Sequence, residues 1–314
     1  MSKPKLILSQ TPSPWVPFRF FFTAPLFGIA AAGVMLWQGA LPFTSRWSGA
    51  VLAVTHLMVL GFIGMVMQGA LLQVLSVLVS GKPPFAERLS GLMHVLLTLG
   101  TLSLAGGFLT GSTDLMRIAV VVLGLSFILF IGTVTAGLLI SRTRRDAAAG
   151  IGFAVVSLAI TLLLGLWLAV GYAWDGVAVA RQFTDLHLTW GLLGWIGILV
   201  VTVAYEVVPM FQQTPLYPAL LIRWLAASMI IGLLVWSGGV TSSSASLSGL
   251  GGLLPALGMS LFAVITFRLQ NKRRKKEADV TIWFWRCGMV SLLAAIMVWI
   301  FTQFLSDPAL NPAY

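Results

Sequence analysis

Nine uninterrupted apolar stretches constrain this chain more than any other feature of it. A helix rises ~1.5 Å per residue, so ~20 apolar residues cross the ~30 Å hydrocarbon layer of a bilayer. The stretches fall at about 18–40, 48–79, 89–111, 116–140, 147–174, 185–210, 219–240, 249–268 and 281–305, each end read to within ~3 residues. Composition agrees: 58% of the 314 residues are hydrophobic and 9% are charged. A soluble domain carries about 25% charge. The expected fold is all-α, a polytopic membrane helical bundle forming a single integral membrane domain over 1–314. Its 32 glycines suit helices that must pack closely without a hydrophobic effect between them.

The net charge of +10 does not point to nucleic acid, because the basic residues sit in short loops between apolar stretches. Their distribution sets a topology by the positive-inside rule. With the N-terminus in the cytoplasm, Lys3, Lys5, Arg19, Lys82, Arg88, Arg142, Arg144, Arg145, Arg223 and the run Lys272 to Lys276 all fall inside. Arg46, Asp114, Arg117, Asp175, Arg181 and Asp185 fall outside, as does the C-terminal tail with Asp307. The expected location is a bacterial inner membrane, with a cytoplasmic N-terminus and a periplasmic C-terminus. The first fifteen residues lack the long apolar core and small-residue cleavage site of a secretory signal. The single cysteine, Cys287, excludes a disulfide framework within one chain.

An internal repeat is legible. Leu60-Gly61-Phe62-Ile63-Gly64-Met65 parallels Leu193-Gly194-Trp195-Ile196-Gly197-Ile198. The same register pairs Gln73 with Glu206, and the 81–85 exit roughly with the 214–218 exit. Two parallel four-helix repeats are expected, 18–140 and 147–268, with an extra helix at 281–305. Ligand sites in such proteins gather at repeat interfaces.

Three histidines carry most of the available chemistry. His56 lies in the outer half of the second stretch and His187 near the outer start of the sixth. Equivalent places in the repeat put them on helices that face each other. Two neutral imidazoles suit a six-coordinate haem iron, and they also suit copper or zinc. The repeat register offsets them, matching His56 to Thr189 and His187 to Val54. His94 lies toward the inner side and is a further candidate metal ligand. With Gln73 and Glu206, at similar depth, it forms an expected polar cluster for a proton path or an ion site. No catalytic residue is assigned. No phosphate-cradling GK[ST] loop and no HExxH helix occurs.

Phe18-Arg19-Phe20-Phe21, the helix beginning Thr55-His56-Leu57-Met58, and Gly81-Lys82-Pro83-Pro84 together resemble the start of the NnrS family. The glycine-rich, histidine-led helix is also similar to helices of haem-copper oxidase catalytic subunits. The resemblance implies haem b or copper held with the help of His56 and, through the repeat, His187. It covers about the first 90 residues, and spans five and six more loosely. The chain departs from both groups. Their spans come in sets of four and total about twelve, against nine here. The paired histidines of the NnrS helix reduce to His56, and Leu57 stands in place of its glutamate. The chain is thus expected to be a reduced relative, serving electron transfer or haem, copper or nitric oxide handling. Expected partners are membrane lipid, a redox protein and a second copy of the chain. A proton-coupled transporter and a non-catalytic subunit of a redox complex are the alternatives.

Overall fold

The structure is a computed structural model that describes residues 12–79, 85–140, 145–274, 277 and 280–304. Among these, nine helices are long and apolar enough to cross a membrane, and no strand occurs. The chain is an all-α, multi-pass membrane protein. The nine helices match the nine apolar stretches to within a few residues. Gly81 to Pro84, Lys3, Lys5, Lys82, Arg142, Arg144, Lys275, Lys276 and Asp307 lie outside the described residues.

In chain order the helices are α1 (Trp15–Gln38), α2 (Gly49–His56), α3 (Met65–Val79), α4 (Ala86–Thr110), α5 (Thr113–Ile140) and α6 (Arg145–Ala173). Then come α7 (Thr184–Thr189), α8 (Ile198–Gln212), α9 (Ala219–Thr241), α10 (Ala245–Asn271) and α11 (Val280–Phe304). The chain separates into two compact units, 1–191 and 192–314. That division falls inside the sixth span, whereas the expected repeats join between 140 and 147.

Two spans are not plain α-helices. The second runs from α2 into α3 through a π-helical segment, Leu57–Gly64. The sixth runs from α7 into α8 through another, Trp190–Gly197. The segments start 133 residues apart (57 and 190) and end 133 apart (64 and 197), which is the register of the sequence repeat. A π turn bonds each N–H to the carbonyl five residues back. That carbonyl crowds the side of the helix where a Cβ would sit. Both segments close on glycine for this reason. A Cβ on Gly64 would stand 2.9 Å from the Val59 carbonyl oxygen, and one on Gly197 would stand 3.3 Å from that of Leu192.

Small residues set the helix packing in each unit. In the first, Gly100 and Gly107 of α4 lie against Leu123 and Met116 of α5. The two helices join through Gly111, whose φ of +70° suits a residue without a Cβ. In the second, a Cβ on Gly239 of α9 would stand 2.2 Å from the Ser248 backbone nitrogen of α10. One on Gly251 would stand 2.1 Å from the Trp236 backbone nitrogen. These α9–α10 contacts are backbone against backbone, the close approach that small residues permit in lipid. Side-chain caps start α2 and α10, where Ser48 accepts from the Val51 N–H and Ser244 from the Leu247 N–H.

Candidate functional site

The first unit brings His56 and His187 together. Their ring centroids lie 6.4 Å apart, with ring planes 23° from parallel. His56 is the last residue of α2, just before the π segment, and His187 lies in α7, three residues before the other. The two-residue register offset does not keep them apart, because each ring is aimed by its own backbone contact. The His56 Nδ1 lies 2.7 Å from the Leu52 carbonyl oxygen, one turn back in α2. The His187 Nδ1 lies 3.0 Å from the Thr161 carbonyl oxygen of α6. A carbonyl only accepts, so both Nδ1 atoms carry the proton. Each neutral ring therefore keeps a bare Nε2, the tautomer that ligates a metal while its other nitrogen is anchored.

The surroundings hold this geometry. Gly165 of α6 lies close against the His187 ring, where a Cβ would come within 2.7 Å of the ring Cε1. Phe108 of α4 lies 5.4 Å from the His56 ring and meets Tyr172 of α6 edge to face at 5.4 Å. Arg46 pairs with Asp185, two residues before His187. Arg46 and Arg181 both stack on Trp47, at 5.0 Å and 5.2 Å. These contacts tie the entry of the second span to the entry of the sixth.

Distance and donor set together test what such a pair can hold. Metal–imidazole bonds are about 2.0–2.1 Å, and each ring centre lies about 1.1 Å behind its nitrogen, so one ion between two opposed imidazoles separates the centroids by about 6.3 Å. The observed 6.4 Å between centroids equals that span in length. Among the described residues, no group of three or more His, Cys, Asp or Glu converges on a metal position. Zinc wants four ligands and fits poorly. A haem iron has four porphyrin nitrogens and needs two from the protein. Soft copper(I) is the other ion suited to so small a set.

His94 is elsewhere. Along α4 it lies fourteen residues, or about 21 Å, from the Phe108 that touches His56. Its Nε2 lies 2.8 Å from the Thr23 hydroxyl of α1, and that hydroxyl donates to the Arg19 carbonyl. The single hydroxyl proton is thus committed, so the His94 Nε2–H is the donor. Phe20 meets the ring edge on at 5.3 Å. Of the other expected cluster members, Gln73 lies half-buried in the first unit and Glu206 half-buried in the second. Each has an interaction partner.

Two further polar groups, neither among the expected site residues, are buried in the first unit. Gln68 of α3 is 1% exposed, and neither its Oε1 nor its Nε2 has a hydrogen-bond partner. Thr101 of α4 is fully buried, and its hydroxyl is likewise unpartnered. An amide inside an apolar run is a visible signal for Gln68. For Thr101 the sequence offers none, since threonines in helices ordinarily bond back to their own turn. No protein-family model, no curated protein and no solved structure matches this chain.

Proposed function

We propose that this chain is an inner-membrane haem- or copper-binding protein of the NnrS-like kind, serving electron transfer or the handling of haem, copper or nitric oxide. The observation that supports it is the His56–His187 pair, two bare imidazole nitrogens on rings whose centroids lie 6.4 Å apart. Bound there, a haem iron or a copper ion supplies one-electron redox chemistry. The chain's own part is to present the ligands and keep water out. The Leu52 and Thr161 carbonyls hold the imidazole tautomers. Phe108 of α4 covers His56, with Tyr172 of α6 packed against Phe108. A haem iron held by both histidines would keep no position for a substrate. Electron transfer therefore fits this donor set better than activation of oxygen or nitric oxide.

An absorption spectrum of the purified protein, oxidised and then reduced, tests the reading, with copper analysis of the same sample. A Soret band that sharpens on reduction is expected for haem, and stoichiometric copper without that band for copper. His56→Ala and His187→Ala should each cost more occupancy than the about 10–100-fold that follows loss of an outer-shell partner. A colourless, copper-free protein overturns the proposal and leaves the transporter reading. Full occupancy in both variants overturns the ligand assignment.

A further inference from the structure

The second unit contains a polar site that the histidine pair does not use. A cavity of about 280 Å³ opens between the end of α8 and the start of α11, lined by Val207, Phe211, Gln212, Thr281 and Trp285. Gln212 is 4% exposed. A chain of hydrogen bonds fixes the orientation of its amide. The Arg286 Nε can only donate, and it donates to the Gln270 Oε1 at 3.3 Å. The Gln270 Nε2 is therefore the donor to the Gln212 Oε1, at 3.0 Å. The Gln212 amide nitrogen is left with two N–H groups and no hydrogen-bond partner among the described residues. A buried amide that offers only donors to a cavity calls for an acceptor within it.

The charge at this end of the unit has the matching sign. Arg286 also donates its Nη2 to the Asn271 Oδ1 at 2.8 Å, which leaves its Nη1 free of those bonds. Lys272, Arg273 and Arg274 follow α10 directly, and Glu277 is the one carboxylate described between α10 and α11. Thr281 lies in the first turn of α11, a 25-residue helix whose N-terminus carries partial positive charge. Phe211 is 68% exposed at the mouth and gives the cavity an apolar lip.

We infer that this cavity takes a phosphoryl oxyanion, carried by an anionic phospholipid headgroup or arriving as free phosphate. The oxyanion accepts from the Gln212 amide and is neutralised by Arg286 and the cations after α10. Basic pockets between membrane helices bind anionic headgroups in this manner, and the apolar lip offers the acyl chains a path.

Native mass spectrometry of the delipidated full chain is the test, with phosphatidylglycerol and phosphatidylcholine added separately. In a parallel arm, inorganic phosphate is titrated against thermal unfolding in lipid-free detergent. One phosphatidylglycerol should be retained in preference to phosphatidylcholine. Gln212→Leu and Arg286→Gln should each weaken it about 10–100-fold, the cost of a hydrogen bond to a charged group. Arg286→Lys should fall between, because it keeps the charge but loses the planar fork. Val207→Phe fills the cavity without touching the hydrogen-bond chain and should also evict the lipid. That variant serves if the polar ones fold poorly. Stabilisation by inorganic phosphate that Gln212→Leu abolishes would identify free phosphate as the source. Equal phosphatidylglycerol retention by the wild type and every variant, with no phosphate effect, overturns the inference. Neither arm reads the histidine pair.

Discussion

The segments 57–64 and 190–197 share a backbone and differ in what they carry. Both are π-helical, both end on a glycine, and both follow a histidine-bearing turn in a membrane span. Their cargo is not matched. His56 precedes its segment directly and His187 precedes its own by three residues. Buried Gln68, four residues past the first segment, has Val201 as its counterpart, itself 1% exposed. Gln73 has Glu206. The repeated property is thus the hydrogen-bond register of the helix, which glycine and packing enforce. Side chains aimed from that frame have diverged freely, and the two histidines meet without being symmetric.

The largest test of this comparison strikes the geometry of the pair and leaves both ligands in place. Gly165→Ala puts a Cβ within 2.7 Å of the His187 ring, so the ring must turn away from its present alignment. The expected result is about a tenfold loss of haem or copper occupancy, typical of a disturbed outer-shell contact. It is read by absorbance or metal content in protein that still elutes as the wild type does. Unchanged occupancy would mean that the 6.4 Å arrangement is not the binding geometry.

Next comes the buried amide. Gln68→Leu removes two unpartnered polar atoms from the first unit and should stabilise it by about 1–3 kcal/mol, the cost of an unsatisfied buried group. Val201→Gln should cost the second unit a similar amount. Thermal unfolding in detergent measures both. If Gln68→Leu destabilises instead, Gln68 has an internal water or ligand as its partner.

The membrane spans were legible because bilayer thickness dictates a minimum apolar length, and that length is written in the residues themselves. The Leu-Gly register also marked the two places where the helix changes its winding. The winding itself was not legible, since a glycine that admits a carbonyl five residues back reads in the sequence like one that admits a neighbouring helix. The histidine convergence was only half visible. Positions two apart on a helix point in different directions, so the register argued for an imperfect pair. What aligns them is the Leu52 and Thr161 carbonyls, and backbone atoms leave no mark in a sequence. Gln68 carries no mark in the repeat, because its counterpart Val201 is apolar, whereas Gln73 is matched by the polar Glu206.

The two closing glycines offer a finer comparison. Gly64→Ala places a methyl group 2.9 Å from the Val59 carbonyl, while Gly197→Ala places one 3.3 Å from the Leu192 carbonyl. The first contact is too short and obliges the π turn to shift. The second needs a movement of a few tenths of an ångström. Gly64→Ala should therefore cost about 1–3 kcal/mol, the usual cost of overpacking, and Gly197→Ala should cost less. Equal losses in thermal unfolding would show that the segments are equally tight.

The smallest effect belongs to the Arg46–Asp185 latch. Arg46 and Asp185 keep side-chain exposures of 50% and 35%, so water and salt screen their attraction. Asp185→Asn should cost at most about 1 kcal/mol, less at high salt. The pair nonetheless joins the entry of the second span to a residue two positions from His187. Its loss should loosen the approach of the two histidine helices more than it lowers stability. With a haem bound, the readout is a broadened or shifted Soret band in Asp185→Asn at nearly unchanged unfolding temperature, reversed by a charge swap of Arg46→Asp with Asp185→Arg. A stability loss with an unaltered spectrum would make the latch a fastening between helices and nothing more. A spectral change at constant stability would make it part of what sets the angle between the two imidazoles, acting through the turn that carries Asp185 and His187 into the second π segment.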